Sequence, residues 1–317
     1  MFSGKFTQHT PDSLRLREDL RVPRPLLCSL LPLLPLVLFA VGCGSEPPAA
    51  TSTPAPTATN NKPADFQPGT CGKISGSVTW DRDCPIPAVP QVYDRRPRSD
   101  GNGYDTRILT HPYAPNIDQF TRALKGAVVY LRGVNPVRAK PWDLPTVTVE
   151  VRDSQIVVKQ GDRPPGRVGF VRQGEPVKMQ SSEPFHHVLR GRGAAFFALP
   201  FPDPEKPLEH RFETYGRVEL TSAAGFHWHA ADLFVCDHPY YAVSDSNGMF
   251  AFTQVPEGTY ELVVWHPNWT TTASERNPET SLVQRVVYAA PLESSRPVMV
   301  VAGRVIMANA VLTIPKK

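Results

Sequence analysis

Three stretches between Ser181 and Pro267 decide the fold of this chain: SSEPFHHVLRG (181–191), GRVELTSAAGFHWHAADLFVCDHPYYAVSDSNGMF (216–250) and VPEGTYELVVWHP (255–267). Each combines short runs of valine, leucine or aromatic residues with flanking glycine, proline, serine or asparagine. Runs of this length with such boundaries are typical of β-strands and turns. The same stretches contain closely spaced histidines, so they also hold the candidate metal site.

The rest of the chain repeats this pattern, and after the N-terminal segment it has no long apolar stretch of helical period. Asp245-Ser-Asn-Gly248 predicts a hairpin turn between two strands, because Asn-Gly accepts positive φ. Proline, glycine and aspartate are frequent from Asp81 to Asn116, where we expect a long surface excursion. The predicted strands are Lys73–Trp80, Gly126–Arg132, Thr146–Val151, Gln155–Val158, Val168–Val171, Leu233–Cys236, Tyr240–Val243, Met249–Phe252, Glu261–Trp265, Leu282–Tyr288, Val298–Ala302 and Val311–Ile314.

The N-terminus has the features of a bacterial export signal. Arg21 and Arg24 precede an apolar run from Leu26 to Val41, which contains two prolines and is short for a membrane span. The run ends Ala40-Val41-Gly42-Cys43, which resembles a lipobox in which Cys43 is acylated and becomes the mature N-terminus. The alternative is an ordinary secretory signal that contains a chance cysteine.

We therefore expect a signal peptide over 1–42 and a tether over 43–68. Gly44 to Pro68 is rich in proline, alanine, threonine and serine and has almost no charge, a composition that stays extended. The expected location is the bacterial cell envelope, with the N-terminal lipid in the membrane. Gly44 and Ser45 are not the aspartate that lipobox proteins use for inner-membrane retention, so the outer membrane, facing the periplasm or the exterior, is favoured.

The charge of the chain gives no case for nucleic acid as a partner. The formal net charge is +4, from 34 basic and 30 acidic residues. Without the five basic and three acidic residues of 1–42, the remainder holds 29 basic and 27 acidic residues. Nucleic-acid binding needs a concentrated basic surface. A protein or glycan partner is left open.

Three cysteines remain after Cys28 leaves with the signal and Cys43 carries the lipid. Cys71 and Cys84 flank a candidate strand, and in an oxidising compartment they could close a disulfide that stabilises the fold by roughly 3 kcal/mol. The alternative is two free thiols. Cys236 ends a compact apolar strand, and we expect it in the core.

The three opening stretches resemble a family of bacterial lipoproteins with a cupredoxin-like domain, sometimes described as methylamine-utilisation-like. In that family the first stretch is roughly N-x-D-P-x-x-H-N, and His187 matches its histidine, with His186 as an adjacent candidate. The second begins C-x-x-H-P-W-M and is matched by counting back from Asp237-His238-Pro239-Tyr240. This alignment places Ala223 at the cysteine (Ser222 after a one-residue slip), Phe226 at the second histidine, Trp228 at the tryptophan and His229 at the methionine.

A second resemblance covers both ends of the mature chain. Gly-x-Val, then GAVVYL (126–131), then SDSNGMFAFTQVPEGTYEL (244–262) is similar to a carboxypeptidase regulatory-like domain, a transthyretin-like β-sandwich without a catalytic role. The resemblance implies two β-sandwiches: a carboxypeptidase regulatory-like one over 69–140 and 239–317, with a cupredoxin-like Greek-key sandwich over 141–238 inserted in it. Two consecutive sandwiches, or one enlarged one, are the alternatives.

The candidate metal ligands depart from the copper pattern. A blue-copper centre needs two imidazoles and a thiolate, so a site without cysteine disfavours electron transfer. His227 and His229 lie at i and i+2, which places them on one side of a strand. With His187 and His186 they form a candidate all-nitrogen site suited to copper or zinc. The alternative is half-exposed polar histidines and no bound cofactor.

Three function classes remain. The sequence contains no G-x-S-x-G elbow, H-E-x-x-H or phosphate-loop motif, so we expect no catalytic residues and no enzyme. The favoured hypothesis is a non-catalytic, lipid-anchored binding or assembly module with a degenerate cupredoxin site. The others are a periplasmic copper- or zinc-binding protein and a carbohydrate-binding module. The last would stack sugar rings on exposed aromatics such as Trp142, Trp228, Trp265 and Trp269. The alternative is that these tryptophans are core residues.

Overall fold

The computed structural model describes residues 65–88, 91–97, 100–183, 186–203, 206–223, 228–276, 278–279 and 283–314. These residues form a short 3-10 helix, Pro68–Thr70, and a succession of strands. In chain order the strands are β1 (Cys71–Trp80), β2 (Val92–Pro97), β3 (Tyr104–Leu109), β4 (Asn116–Ile117), β5 (Leu124–Lys125), β6 (Val128–Arg132), β7 (Val147–Arg152), β8 (Gln155–Gln160), β9 (Val168–Arg172), β10 (Pro176–Ser181), β11 (His187–Gly193), β12 (Phe197–Phe201), β13 (Leu208–Arg211), β14 (Gly216–Ser222), β15 (Ala230–Cys236), β16 (Tyr241–Val243), β17 (Met249–Pro256), β18 (Gly258–His266), β19 (Thr271–Arg276), β20 (Val283–Tyr288), β21 (Leu292–Val300), β22 (Val305–Met307) and β23 (Ala310–Leu312).

The all-β fold with sandwich architecture is confirmed. One pair of sheets has the strand orders β17-β1-β22, with β23 also on β1, and β16-β6-β18-β21. The other pair has the orders β13-β10-β7-β8 and β12-β11-β14-β15-β9. Each pair encloses a core of alternating apolar residues, as sheets with one buried face require. Ile74, Leu131 and Val264 belong to the first core, and Leu189 and Leu233 to the second.

A third apolar cluster joins the two sandwiches. Phe170 and Phe234, on the outward face of the five-stranded sheet, pack against Val128 and Trp265 of the neighbouring sheet. The rings of Phe234 and Trp265 meet edge to face, with centroids 5.2 Å apart. Both faces of the five-stranded sheet are therefore covered, at least at this end.

The strand pairings follow two groups in the sequence. Strands from 71–80, 128–132, 241–266 and 292–312 form the first pair of sheets, and strands from 147–236 form the second. The pairs β2–β3, β4–β5 and β19–β20 are separate two-stranded sheets. The assignment of these groups to an inserted domain and its host stays a prediction. The predicted signal peptide, Cys43 and the tether up to residue 64 lie outside the described residues. Within the described part of the chain, no helix has the length and apolarity to cross a membrane.

The predicted hairpin around Asp245-Ser-Asn-Gly248 is wrong in one respect. The turn exists: Gly248 has a φ of 74° and its N–H donates to the carbonyl of Asp245 at 3.0 Å. However, β16 pairs with β6, whereas β17 pairs with β1. The turn therefore carries the chain from one sheet of the sandwich to the other.

The predicted disulfide between Cys71 and Cys84 is also wrong. Both residues are free thiols. Cys71 opens β1 and Trp80 closes it, so the strand alone separates its ends by about 30 Å. The four residues from Trp80 to Cys84 can return only about 14 Å of that distance. Cys84 instead contacts the hydroxyl of Thr313 at 3.0 Å.

The predicted surface excursion from Asp81 to Asn116 has more structure than expected. It forms the hairpin β2–β3, and it places three polar or aromatic side chains in the interior: Asp94, His111 and Tyr113. The apolar residues of this stretch do not recur at a regular spacing, because proline, glycine and polar residues separate them. The local sequence therefore did not indicate which side chains would be buried.

Candidate functional site

Two imidazoles meet at one end of the five-stranded sheet. His187 is the first residue of β11, and His229 immediately precedes β15. The register Leu189↔Ser222 and Thr221↔Ala230 aligns these strand ends through β14. Both side chains are 0% exposed, and their ring centroids are 5.3 Å apart at an interplanar angle of 23°. The structure thus brings together two residues that are 42 positions apart in the sequence.

The position aligned with the copper thiolate lies beside this pair. The N–H of Ala223 donates to the carbonyl of Val188, the residue after His187, at 2.9 Å. Ser222, the alternative position, is buried at the end of β14. The side chain here is therefore a methyl group or a hydroxyl, and neither is a blue-copper ligand.

The nearest cysteine in the sequence, Cys236, lies at the far end of β15. Seven residues of strand separate it from the His229 end, which is about 20 Å. Its Sγ–H donates to the carbonyl of Phe234 at 3.2 Å, and burial raises the pKa of the thiol. Cys236 is thus the core residue predicted from the sequence, and the residues present do not fit a type 1 copper ion.

The structure does not show the other two predicted ligands, His186 and His227, beside His187 and His229. His186 is exposed, and His227 lies outside the described residues. Among the residues that the structure describes, no group of three or more histidine, cysteine, aspartate or glutamate side chains is arranged to hold a metal ion. The described site is a two-imidazole site.

Two imidazoles alone still fit part of a metal site. An imidazole bound to zinc at about 2.0 Å has its ring centre about 3.2 Å from the ion. Ring centres 5.3 Å apart are therefore within reach of one shared ion. Trp228, buried and edge-on to His229 at 6.0 Å, shields one side of the pair from water.

A network of buried polar side chains includes Glu183, which precedes β11 by four residues. The N–H of Ser154 donates to Oε1 of Glu183 at 2.7 Å, and the hydroxyl of Ser154 bonds Asp94. Ser154 and its neighbour Asp153 have positive φ values of 61° and 49° in the β7–β8 turn. The sequence pattern did not indicate this role of Glu183, because only the tertiary structure brings Glu183 to the turn at Ser154.

The two histidines that precede prolines, His238 and His266, each contact a nearby backbone group. Nδ1 of His238 accepts the N–H of Tyr240 at 3.3 Å, and Nδ1 of His266 lies 2.7 Å from the carbonyl oxygen of Pro267. Both rings are buried. Burial lowers the pKa of His266 to about 4, so the ring is neutral at pH 7.

The tryptophans do not form an exposed stacking surface. Trp228, Trp265 and Trp269 are buried at 8%, 4% and 7% exposure, and Trp142 is half-buried. Trp228, Trp265 and Trp269 therefore have the alternative role of core residues, because they fill the interior around both sandwiches. Sugar stacking on these three side chains is blocked.

Sequence reasoning missed a polar layer on the outward face of the five-stranded sheet. Nε of Arg217 bonds Oδ1 of Asp232 at 2.7 Å, and its guanidinium lies 5.0 Å from the ring centre of Trp265. Burial raises the pKa of Asp232 to about 6, although Arg217 opposes this shift. The available signal was the alternation of charged and apolar residues in GRVELTS (216–222).

No protein-family model matches the chain, and no curated protein matches it. Part of the chain is similar to a copper-containing nitrite reductase from Thermus scotoductus, with a TM-score of 0.23, 16% identity and coverage of 33% of this chain. The chain spans only about a quarter (25%) of that reductase. A purple cupredoxin from Nitrosopumilus maritimus gives a TM-score of 0.22 and 15% identity, with 29% of this chain and 99% of the cupredoxin covered. A reduced amicyanin variant gives a TM-score of 0.23 and 13% identity, with 31% of this chain and 96% of the amicyanin covered.

Proposed function

We propose that this protein is a non-catalytic binding module of the bacterial cell envelope, anchored by lipid at Cys43, whose cupredoxin-like site has lost its thiolate. The observation that carries the proposal is the position of Ala223. It lies beside the paired histidines His187 and His229, where the resemblance aligns a copper-binding cysteine. Without that sulfur the site lacks the covalent bond that electron transfer through blue copper requires.

The test is the visible absorption of the copper-loaded, purified mature protein. We expect no intense blue band from the natural sequence, because neither Ala223 nor Ser222, the positions beside His187 and His229, supplies a thiolate that could donate charge to the ion. Ala223→Cys supplies a sulfur beside His187 and His229, and we expect the band to appear in this variant. Ser222→Cys is the matched test for a one-residue slip of the alignment. An intense blue band from the natural sequence would refute the proposal.

We propose metal binding through nitrogen as a second candidate function, favoured by the stacked, fully buried imidazole pair. Neutral imidazole is a common ligand for zinc and copper, and burying two rings side by side excludes competing water. His187 and His229 would hold the ion, with His227 as the third ligand suggested by the H-x-H spacing. Zinc or Cu(II) bound there would be held for storage, transfer or structure.

Calorimetric titration of the mature protein with Zn²⁺ tests this second function. We expect saturable binding of one ion, with affinity reduced at least about 100-fold by His187→Ala or His229→Ala, since each removes a ligand. His186→Ala is the matched control, because His186 is adjacent in the chain but exposed. Circular dichroism confirms that each variant is folded. Saturable binding that both buried-histidine variants retain, or no saturable binding, would refute the metal function.

A further inference from the structure

A cationic pocket lies on the face of the five-stranded sheet opposite to the histidine pair. Strand alternation places Leu189 of β11 in the core and turns Arg190 and Arg192 to the other side. The hairpin β19–β20 passes over them and contributes Arg285 and Tyr288. The pocket is lined by Arg190, Arg192, Thr221, Ser222, Ala230, Arg285, Val286 and Tyr288.

The carboxylates around this pocket have other partners. Glu219 is opposite Arg192 in the β11–β14 ladder, but its carboxylate accepts the hydroxyl of Tyr113 at 3.4 Å. Asp232 bonds Arg217 at 2.7 Å. No carboxylate lines the pocket among the residues that the structure describes. The positive charge of the pocket is therefore not balanced within its own lining.

The third arginine is partly neutralised. Nη1 of Arg285 lies 2.7 Å from Oε1 of Glu275 in the adjacent strand, a half-exposed ion pair of small energetic value. A guanidinium has five N–H donors, so this bond leaves most of the donors of Arg285 available. Arg190 and Arg192 pair through their backbones in the β11 ladders, and the described part of the chain provides no hydrogen-bond or ion-pair partner for their side chains.

We propose that this pocket binds a tetrahedral oxyanion, phosphate or sulfate, presented as the free ion or as the headgroup of an anionic lipid. Three arginines from two strands, Arg190, Arg192 and Arg285, line the pocket together with Thr221 and Tyr288, whose hydroxyls are further donors. This set offers more donors than the two oxygens of a carboxylate can accept, whereas a phosphate accepts from several directions. Arginine forks bind phosphate oxygens in pairs, which adds geometric selectivity to the charge.

Isothermal titration of the mature protein with inorganic phosphate at constant ionic strength tests the proposal. We expect saturable binding of one ion, and weaker binding of acetate. Arg190→Gln and Arg192→Gln should each reduce phosphate affinity about tenfold. Arg190→Lys keeps the charge but loses the fork, so we expect an intermediate affinity. Vesicles with and without anionic phospholipid distinguish the two sources: arginine-dependent binding to anionic vesicles identifies the headgroup, and its absence, with phosphate bound, identifies the free ion.

The matched control is Arg172→Gln, at the exposed end of β9 in the same sheet. It removes the same charge outside the pocket, so phosphate affinity should be unchanged. Thermal unfolding checks that all variants fold equally. An equal loss of affinity in Arg172→Gln, acetate binding as tight as phosphate, or neither phosphate nor anionic vesicles binding saturably would overturn the proposal. None of these results depends on the histidine pair.

Discussion

Gly76→Ala is expected to destabilise the protein by about 3 kcal/mol, the upper end of what overpacking usually costs. A Cβ at this position of β1 would lie 2.2 Å from the carbonyl oxygen of Ala308 and 2.6 Å from its carbonyl carbon. Both are backbone atoms, so no flexible side chain can move aside. The N–H of Ala308 also donates to the carbonyl of Ser75 at 2.8 Å, and separating the segments would break this bond.

Urea unfolding of the natural protein and the variant measures the difference in the free energy of unfolding. Gly69→Ala is the matched control, because a Cβ there meets nothing within 4 Å. The control should leave stability unchanged or raise it slightly, since alanine restricts the unfolded chain. Similar midpoints for Gly76→Ala and Gly69→Ala would show that the packing of β1 against Ala308 is not as the structure has it.

His266→Gln should remove a large part of the acid sensitivity of the fold. Burial lowers the pKa of His266 to about 4, against about 6.5 in the unfolded chain. Between these values the unfolded state binds a proton that the folded state does not. The contribution of this group, about 3 kcal/mol, is therefore present above pH 6.5 and lost as the pH falls to 4.

Asp232→Asn should change the same pH range with the opposite sign. Burial raises the pKa of Asp232 to about 6, against about 3.9 when unfolded. The folded state here holds the proton that the unfolded state has released. This group therefore stabilises the fold below pH 4, and about 3 kcal/mol of that stabilisation is lost as the pH rises to 6. This figure does not include the loss of the ion pair with Arg217 in the variant.

Urea midpoints measured from pH 4 to pH 7 check both expectations. The free energy of unfolding should rise less steeply with pH in His266→Gln than in the natural protein, and more steeply in Asp232→Asn. His186→Gln, an exposed histidine, is the control and should follow the natural protein. Parallel curves for all three variants would mean that neither buried group titrates as described.

Local patterns predicted the strands well where one face is buried. β1 alternates between buried and less buried residues along its whole length, and the sequence KISGSVTW (73–80) shows the same period. The prediction of a disulfide between Cys71 and Cys84 failed, because two cysteines at opposite ends of an extended strand are too far apart to bond. Local prediction failed again at Gly248, where a turn was recognised but the partners of its two strands were not.

The candidate site was predicted in part. His187 and His229 were singled out from the sequence, and the register of β11, β14 and β15 brings their rings to 5.3 Å. The cationic pocket was not predicted. Arg190 and Arg192 come from one strand and Arg285 from a hairpin more than ninety residues later, and no sequence spacing links such residues.

The sequence by itself determined the all-β class and the core role of Cys236, because each depends on residue type and short-range period. Only the tertiary structure decided which strands pair, which tryptophans are buried and which charges share a surface. The physical reason is that strand pairing and side-chain burial are set by contacts between distant segments. A side chain's pKa, exposure and partners therefore depend on neighbours that its own stretch of sequence does not contain.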